Sequence, residues 1–584
     1  MCKRMRTTRS SPKGIALLLV LGMIMAITVL ALGFIARCDT ELAVGQNMAV
    51  RVQMDQLATS GLEHARGLLL NPQEVPAGWS GDGALQLDPG TNDFYDISVV
   101  AAATNPDDYC TYEITSTAYR ERNGRRTGES RLEATLRFDP AIALWAGATD
   151  EALVVRERWA IHGDVRSAAS VTNDGTIRGD VFATGLTGDI TGASRSTGDL
   201  TLLWPPLTAS YSHPDYVVSN IGPGSVSGNY SLERIWQCGT DLIVEGPAVI
   251  CGMLRIDGDL VIRGDGVRLT AAKNLPAAYI TGNLVLDRAT DLQIVGLVVV
   301  DGHVLVGHDT DVRVVGGLFA QGEIVEATID SSGYANGAIL RNMPTWSGGG
   351  VLALDGVNQY VQTADHDVRL QLTDQYTLSV RLRPAAAQKP WAGILSKTDP
   401  AGDGNHWVLQ FDPNAESSSA DARQLIVLHG TTAHRWDTGI TLDDLLVDGQ
   451  WHHVVVVRQA DGTMSSYLDG VLHKPLDPNA PEVLVRQPGK EPGHLNIGAD
   501  REGRQVYRGS LADVRVYDRA LSDAEVIALP DDPGLIGHWT FDGTGESRIH
   551  VAVDPLRASI IDENGSNWSP AADAFFKSIR RPQP

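Results

Sequence analysis

Apolar positions follow three rhythms along this chain. From Gly14 to Ala36 they are continuous, with Thr28 the one ordinary polar residue among 23. A helix of that length spans about 34 Å, enough to cross the hydrocarbon core of a bilayer. From Val50 to Leu69 the apolar set becomes Val50, Met54, Leu57, Ala58, Gly61, Leu62, Ala65, Leu68 and Leu69. Steps of three and four predict that the helix runs on past the membrane with one buried face. Asn71-Pro72 ends it, because the residue before a proline is pushed out of the α region. Beyond it the period drops to two. Tyr112–Tyr119 and Leu132–Phe138, with Asn123-Gly124 between them, predict an antiparallel hairpin beside the long helix.

The middle of the chain repeats a short phrase: glycine, a polar residue, then Val, Ile or Leu. It stands at Gly163-Asp164-Val165, Gly179-Asp180-Val181, Gly188-Asp189-Ile190 and Gly198-Asp199-Leu200. It returns at Gly258-Asp259-Leu260, Gly282-Asn283-Leu284, Gly302-His303-Val304 and Gly322-Glu323-Ile324, the last four 24, 20 and 20 residues apart. Repeats near 20 residues with short β runs and glycine at corners predict a β-solenoid, with a sandwich of irregular hairpins as the alternative. A Pro- and Tyr-containing insertion from Trp204 to Tyr230 interrupts it. The Asp of each phrase reads as a turn residue that binds neighbouring backbone amides.

Composition narrows the picture. Of 584 residues, 48 are Lys or Arg and 71 are Asp or Glu, a net charge of −23. That argues against a nucleic-acid binder, which needs basic surface to displace counterions from phosphates. Only 20% of residues are charged and 6% aromatic, while 60 are glycine, which favours turn-rich β structure over long soluble helices. Lys3, Arg4, Arg6, Arg9 and Lys13 precede the apolar run, and Asp39 and Glu41 follow it. This asymmetry predicts a cytoplasmic N-terminus, with residues 14–36 in the lipid bilayer and the bulk of the chain periplasmic or extracellular. The localisation expected is a single-pass inner membrane protein.

Pro12-Lys13-Gly14-Ile15, opening onto Ala16-Leu17-Leu18-Leu19-Val20, resembles the processing site of type IV prepilins and type II secretion pseudopilins. The resemblance implies cleavage after Gly14 and methylation of Ile15 as the new N-terminus. Leu19 stands where most of that family has Glu, as in K-type minor pseudopilins and PilX-like proteins at or near a filament tip. The run Ala58-Thr59-Ser60-Gly61-Leu62-Glu63 is similar to the helical stalk of those proteins. Pilin-like subunits are the implied partners; a plain signal-anchor is the alternative.

The C-terminal half carries more motifs. Leu354-Asp355-Gly356, Tyr376-Thr377-Leu378-Ser379-Val380, Gly449-Gln450-Trp451-His452-His453-Val454, Tyr467-Leu468-Asp469-Gly470 and Tyr507–Tyr517 follow in order. Together they resemble a LamG-like jellyroll of the concanavalin A-like lectin/glucanase superfamily, over residues 326–530. The resemblance implies a two-sheet sandwich, a glycan or surface-protein ligand, and a calcium ion for which Asp355 and Asp513 are the candidates. Trp451 and the His pair read as a strand signature. The Glu-x-Asp-x-x-Glu arrangement of related glucanases is missing, so no catalytic residue is assigned and binding is favoured over hydrolysis. Leu535–Asp542 looks like the opening strand of the same domain type, either added to the sandwich or left from a partial repeat. Lys577–Pro584 reads as a frayed tail. Cys238 and Cys251 flank a predicted hairpin of the solenoid and could form a disulfide, which an exported setting permits.

The fold class expected is therefore mainly β. The chain divides into a basic leader (1–14), a transmembrane helix and stalk (15–71), a pilin-like α+β region (72–150), β-solenoid repeats (151–325), the jellyroll (326–530) and a C-terminal extension (531–584). The function expected is a membrane-anchored, prepilin-type protein with a lectin-like head, acting in adhesion or in a type IV pilus or type II secretion filament. A tethered polysaccharide-degrading enzyme and a structural spacer are the alternatives.

Overall fold

The computed structural model describes residues 13–582, except 77–78, 102–109, 333, 335, 343, 347–348, 365–367, 371, 373, 398–406, 414–421, 430–433, 478–492, 501–502, 532, 544–545 and 563. It is mainly β, with an N-terminal apolar helix, a β-solenoid and a C-terminal concanavalin A-like jellyroll.

The helix Lys13–Leu70 meets two environments. Leu17 and Leu30 are 74% and 73% exposed, whereas Met54, Ala58, Leu62, Ala65 and Leu69 are fully buried. The buried half lies on a four-stranded antiparallel sheet ordered Asp93–Ala101, Thr111–Arg122, Arg125–Phe138, Ala574–Arg580. Leu132, Ala134, Leu136 and Phe138 face the helix, as their alternation requires. Gly61 lets the two approach: a β-carbon there would stand 2.2 Å from Ser116 Oγ and 2.9 Å from Tyr95 Cδ2. Asn123 and Gly124 both take positive φ, the geometry of a tight hairpin turn.

The fourth strand corrects the frayed-tail expectation. Ala574–Arg580 pairs with Glu133–Phe138. Only its first residue is fully buried, so the segment has no alternation to read. Long-range charge holds it instead. Arg580 pairs with Glu133 at 3.2 Å, Arg581 with Asp55 at 2.5 Å and Asp573 with Arg66 at 3.3 Å.

The solenoid is three-sided. On its first side the strands lie parallel in the order Ser194–Arg195, Val181–Phe182, Asp164–Ser167, Ile142–Ala146, Asp311–Ala320, Leu292–Val300, Ala278–Ile280, Leu242–Ile256, Gly224–Cys238, Val218–Asn220. The chain thus enters the stack in its middle, at Ile142, and builds outward to Arg195. It then crosses to the far end and builds back from Val218 until Leu318 meets Leu144. Inward stacks such as Leu254, Ala278, Val298, Leu318, Leu144, Val165 and Val181 form the core.

The insertion that interrupts the repeats is the crossover, and it runs as a strap along the outside of this side. Trp204 sits edge-on to Trp145 at 5.6 Å. Tyr211 is fully buried and donates to Ile561 O at 2.7 Å. Tyr216 donates to Lys273 O at 2.8 Å.

The repeated phrase has a direct structural meaning. At one corner each polar side chain accepts the backbone N–H of its successor in the next coil. Asp164 takes Asp180 N at 2.8 Å, Asp180 takes Ala193 N at 2.8 Å and Asp241 takes Asp259 N at 2.9 Å. Asp259 takes Asn283 N at 2.6 Å, Asn283 takes His303 N at 2.8 Å and His303 Nδ1 takes Glu323 N at 3.0 Å. The glycines let coils stack backbone on backbone: a β-carbon on Gly302 would lie 2.5 Å from Gly282 O. Not every instance is a rung: Asp199 closes a capping box with Ser196, and the last, Glu323, bonds Arg341 instead.

The jellyroll packs two antiparallel sheets over a core that includes Trp407, Trp539, Tyr376 and Tyr507. One sheet runs Leu352–Asp355, Arg508–Tyr517, Tyr376–Pro384, His452–Arg458, Met464–Leu468, Val471–Asp477. Leu535–Trp539 pairs with Arg508–Tyr517, so it is a strand of this sandwich and not a partial repeat. The other sheet is joined to the solenoid by a backbone ladder between Ile324–Thr328 and Ala338–Arg341. Arg341 bonds both carboxylate oxygens of Glu323 at 2.9 Å across the junction. Beyond the jellyroll, Arg548–Val553 slides into the solenoid between Asp311–Ala320 and Trp159–His162. The C-terminal extension therefore supplies a strand to all three β regions in turn.

Candidate binding surfaces

Gly14 and Ile15 stand in the first turn of the long helix; residues 1–12 and the side chains of 13–15 lie outside what is described. The helix from Ala16 onward is long and apolar enough to cross a membrane. Thr28, its polar member, donates to Ile24 O at 2.7 Å, which satisfies its hydroxyl without water.

The two metal candidates do not form one site. Asp355 pairs with Arg508 across the ladder, and Asp513 lies five positions further along that strand, roughly 17 Å away at about 3.4 Å per residue. Asp355 Oδ1 closes a turn on Val357 N at 2.7 Å. Asp513 Oδ1 accepts from Arg515 Nε and His538 Nε2, both at 2.9 Å. Burial alone would raise the Asp513 carboxyl, but these two donors hold it down at about 2. A carboxylate already bound to an arginine and a histidine is a poor calcium ligand. No cluster of three or more His, Cys, Asp or Glu side chains suited to a metal occurs among the described residues. The residues present do not fit a calcium ion. His538, which occupies Asp513, lies in the strand-like run Leu535–Asp542, but nothing in that pattern pairs it with Asp513.

Cys238 and Cys251 are both free thiols. Cys238 faces the solenoid core, while Cys251 sits opposite Thr270 on a different side of the coil. The segment between them continues one coil into the next and is no hairpin, which separates the two sulfurs.

The Trp-His-His run is structural. His452 Nδ1 lies 2.9 Å from Asp469 and its Nε2 3.3 Å from Asp448. His453 Nε2 lies 2.8 Å from Ser379 Oγ. Ser379 is fully buried, so this serine–histidine pair is closed to substrate. Burial, with Arg381 and Arg515 nearby, lowers the His453 pKa against the pull of Asp513 and Asp469. Trp451 lies under Arg383, 5.3 Å from ring centroid to guanidinium carbon.

A depression of about 600 Å³ opens on the outer side of the same sheet, lined by Gln459, Ser465, Tyr467, Leu472, Leu521 and Asp523. Tyr467 donates to Asp523 Oδ1 at 2.6 Å, and burial and that carboxylate raise the phenol pKa. Leu472 supplies the exposed apolar surface of the hollow, Tyr467 is 5% exposed beneath it, and Gln459 and Asp523 add polar groups at its rim. At the seam between solenoid and jellyroll a cleft of about 60 Å³ lies between Asp287, His308 and Phe541, room for a few waters.

These features define a lectin-like jellyroll carried on a β-solenoid. Residues 355–527 match the family described as the concanavalin A-like lectin/glucanases superfamily. Over 165 residues the chain is 27% identical to adhesion G-protein coupled receptor V1 of Danio rerio, a match that takes in 28% of this chain and 2% of the receptor. Among solved structures, Trypanosoma rangeli sialidase in complex with 2,3-difluorosialic acid is 19% identical at a TM-score of 0.26, covering 36% of this chain and 33% of that one. The botulinum neurotoxin serotype D binding domain is 13% identical at a TM-score of 0.26, covering 34% and 48%. Structural likeness at that level says nothing about substrate.

Proposed function

We propose that this is a membrane-anchored extracytoplasmic protein of prepilin type, whose lectin-like head binds a glycan or glycosylated surface partner in adhesion or at a pilus or secretion filament. The carrying observation is the two-environment helix. Its exposed apolar half suits lipid, and its buried half is built into a four-stranded sheet. A helix locked into a folded domain fixes how the head stands off the membrane, as a filament subunit or a tethered receptor requires. The match at residues 355–527 and the hollow at Tyr467 and Asp523 support binding over turnover.

N-terminal mass spectrometry of protein from native membranes tests the anchor. The expected peptide begins at Ile15 with a methylated amine; an N-terminus still carrying Met1 to Gly14 overturns the prepilin reading. For the head, full-length protein in detergent is applied to a glycan array as wild type and as Asp523→Ala. Binding that falls at least tenfold in the variant supports the hollow as the site; wild type that binds no glycan refutes it.

A further inference from the structure

The second side of the solenoid, away from both the strap and the jellyroll, gathers positive charge in a chain that is strongly negative overall. Across its ladder Arg313 stands opposite His550, and two positions along, His162 stands opposite Arg178. The rings of His162 and His550 meet edge to face with centroids 4.6 Å apart. These residues occupy the outward positions of their strands, because their neighbours Val314, Val551, Ile161 and Ile177 point into the core. Among the described residues, neither Arg178 nor Arg313 makes an ion pair. Of the acids near this face, Asp291 pairs with Arg268, Glu546 with Arg158, Asp311 stands opposite Arg548, and the exposed Asp189 borders it in the coil beyond Arg178. Burial first, then His550, Arg178 and Arg313, push the His162 pKa down to about 4, and no acid counters them.

We propose that this face, through Arg178, His162, His550 and Arg313, is a binding site for an anionic polysaccharide bearing carboxylate or sulfate groups. Adjacent strands stand about 4.8 Å apart, so Arg313 and Arg178, three strands from each other, stand roughly 14 Å apart along the solenoid axis, with the uncharged imidazoles of His550 and His162 between them as hydrogen-bonding groups. That suits a sparsely charged chain. Duplex DNA carries a charge every ~1.7 Å and is held by many more phosphate contacts than four side chains supply. Between the cations lie Ala160, Ala552 and Val315, a low floor on which sugar rings can rest. Unpaired arginines on an exposed wall give charge-assisted hydrogen bonds to carboxylate or sulfate oxygens at little cost in desolvation. The site also depends on threading: His550 and Arg548 come from the strand that the C-terminus inserts between coils. It is separate from the hollow at Asp523, so each reading stands or falls alone.

The test uses full-length protein in detergent with four probes: polygalacturonate, dextran sulfate, neutral dextran and a DNA duplex. Wild type should bind one or both polyanionic glycans and ignore neutral dextran. Arg178→Gln/Arg313→Gln should weaken that binding at least tenfold and reduce the salt dependence by about two counterions. Arg178→Lys/Arg313→Lys should retain most of it, and Arg122→Gln, at the exposed tip of the hairpin beside the long helix, should leave it unchanged. Both arginines are on the surface, so the variants should fold; unchanged circular dichroism checks this. Failure of wild type to bind either glycan, equal binding by the Gln variant, equal loss in the Lys variant, or preference for DNA would overturn the proposal.

Discussion

The solenoid and the jellyroll both close β-strands around an apolar interior, yet they do so over different chain distances. In the solenoid, a residue's partners lie about 20 positions away, and the same corner contact recurs from coil to coil. In the jellyroll, Leu352–Asp355 pairs with Arg508–Tyr517 and Ser379 with Arg515, more than 130 residues apart. The first architecture is a sum of neighbour contacts; the second stands only when distant segments have all arrived. The two meet at the backbone ladder between Ile324–Thr328 and Ala338–Arg341, and the repeat rule breaks one coil away, where Ile142–Ala146 and Arg548–Val553 close against Asp311–Ala320.

The strongest way to break that comparison is Trp539→Ala. This indole is fully buried and donates to Asn336 O at 2.9 Å, from a strand that closes the sandwich after its matched region. Removing it should cost about 3–5 kcal/mol. Amide hydrogen exchange should then show protection lost across 352–517 and kept at 242–300, where each coil depends on its neighbours. Equal loss in both regions would mean that the solenoid is not the self-supporting stack described.

A smaller effect sharpens the contrast at the corners. Asn283→Ala removes one rung and leaves the His303 amide without its acceptor inside the stack, at a cost of about 1–3 kcal/mol. Asp461→Ala removes a similar turn bond to Thr463 N in the jellyroll, but at an exposed hairpin, where the cost should stay near 0.5 kcal/mol. Denaturant titration of both variants reads the difference. Equal losses would show that the ladder is turn chemistry with no added role in stacking.

What was legible follows the same divide. The glycine phrase betrayed the solenoid because each coil solves one local problem in the same way. The jellyroll was legible through its accumulated motifs. The order of coils was not, since parallel strands with the same inward Leu, Val and Ile pattern can stack in either direction. The closing strands at 548–553 and 574–580 were hidden too. Both are short: Ile549 and Val551 of the first join a solenoid core built far upstream in the chain, and charge pairs such as Arg581–Asp55 hold the second across more than 500 residues. The candidate metal site failed for a related reason: Asp513 meets a histidine, His538, that no motif spacing announces.

The smallest expected effect, per unit of pH, separates the two regions by sign. Asp164 begins the corner ladder nearly sealed from water. Burial drives its carboxyl up to about 7, against hydrogen bonds from Ala141 N and Asp180 N. Its folded pKa lies above the ordinary 3.8, so its contribution to stability is complete below about pH 4 and lost as pH rises through 7. Asp513 is the reverse. Held at about 2 by His538 and Arg515, it stabilises the jellyroll above about pH 4 and loses that effect as pH falls toward 2. One linked proton changes stability by at most about 1.4 kcal/mol per pH unit, about 1–2 °C in melting temperature for a chain of this length. The melting temperature of the wild type should therefore carry a component that falls between pH 5 and 8 and is absent in Asp164→Asn. A second component, present only below pH 4, should vanish in Asp513→Asn. If Asp164→Asn keeps the wild-type slope between pH 5 and 8, the corner carboxylate is not buried as described, and the solenoid ladder begins at a solvated end like any jellyroll turn.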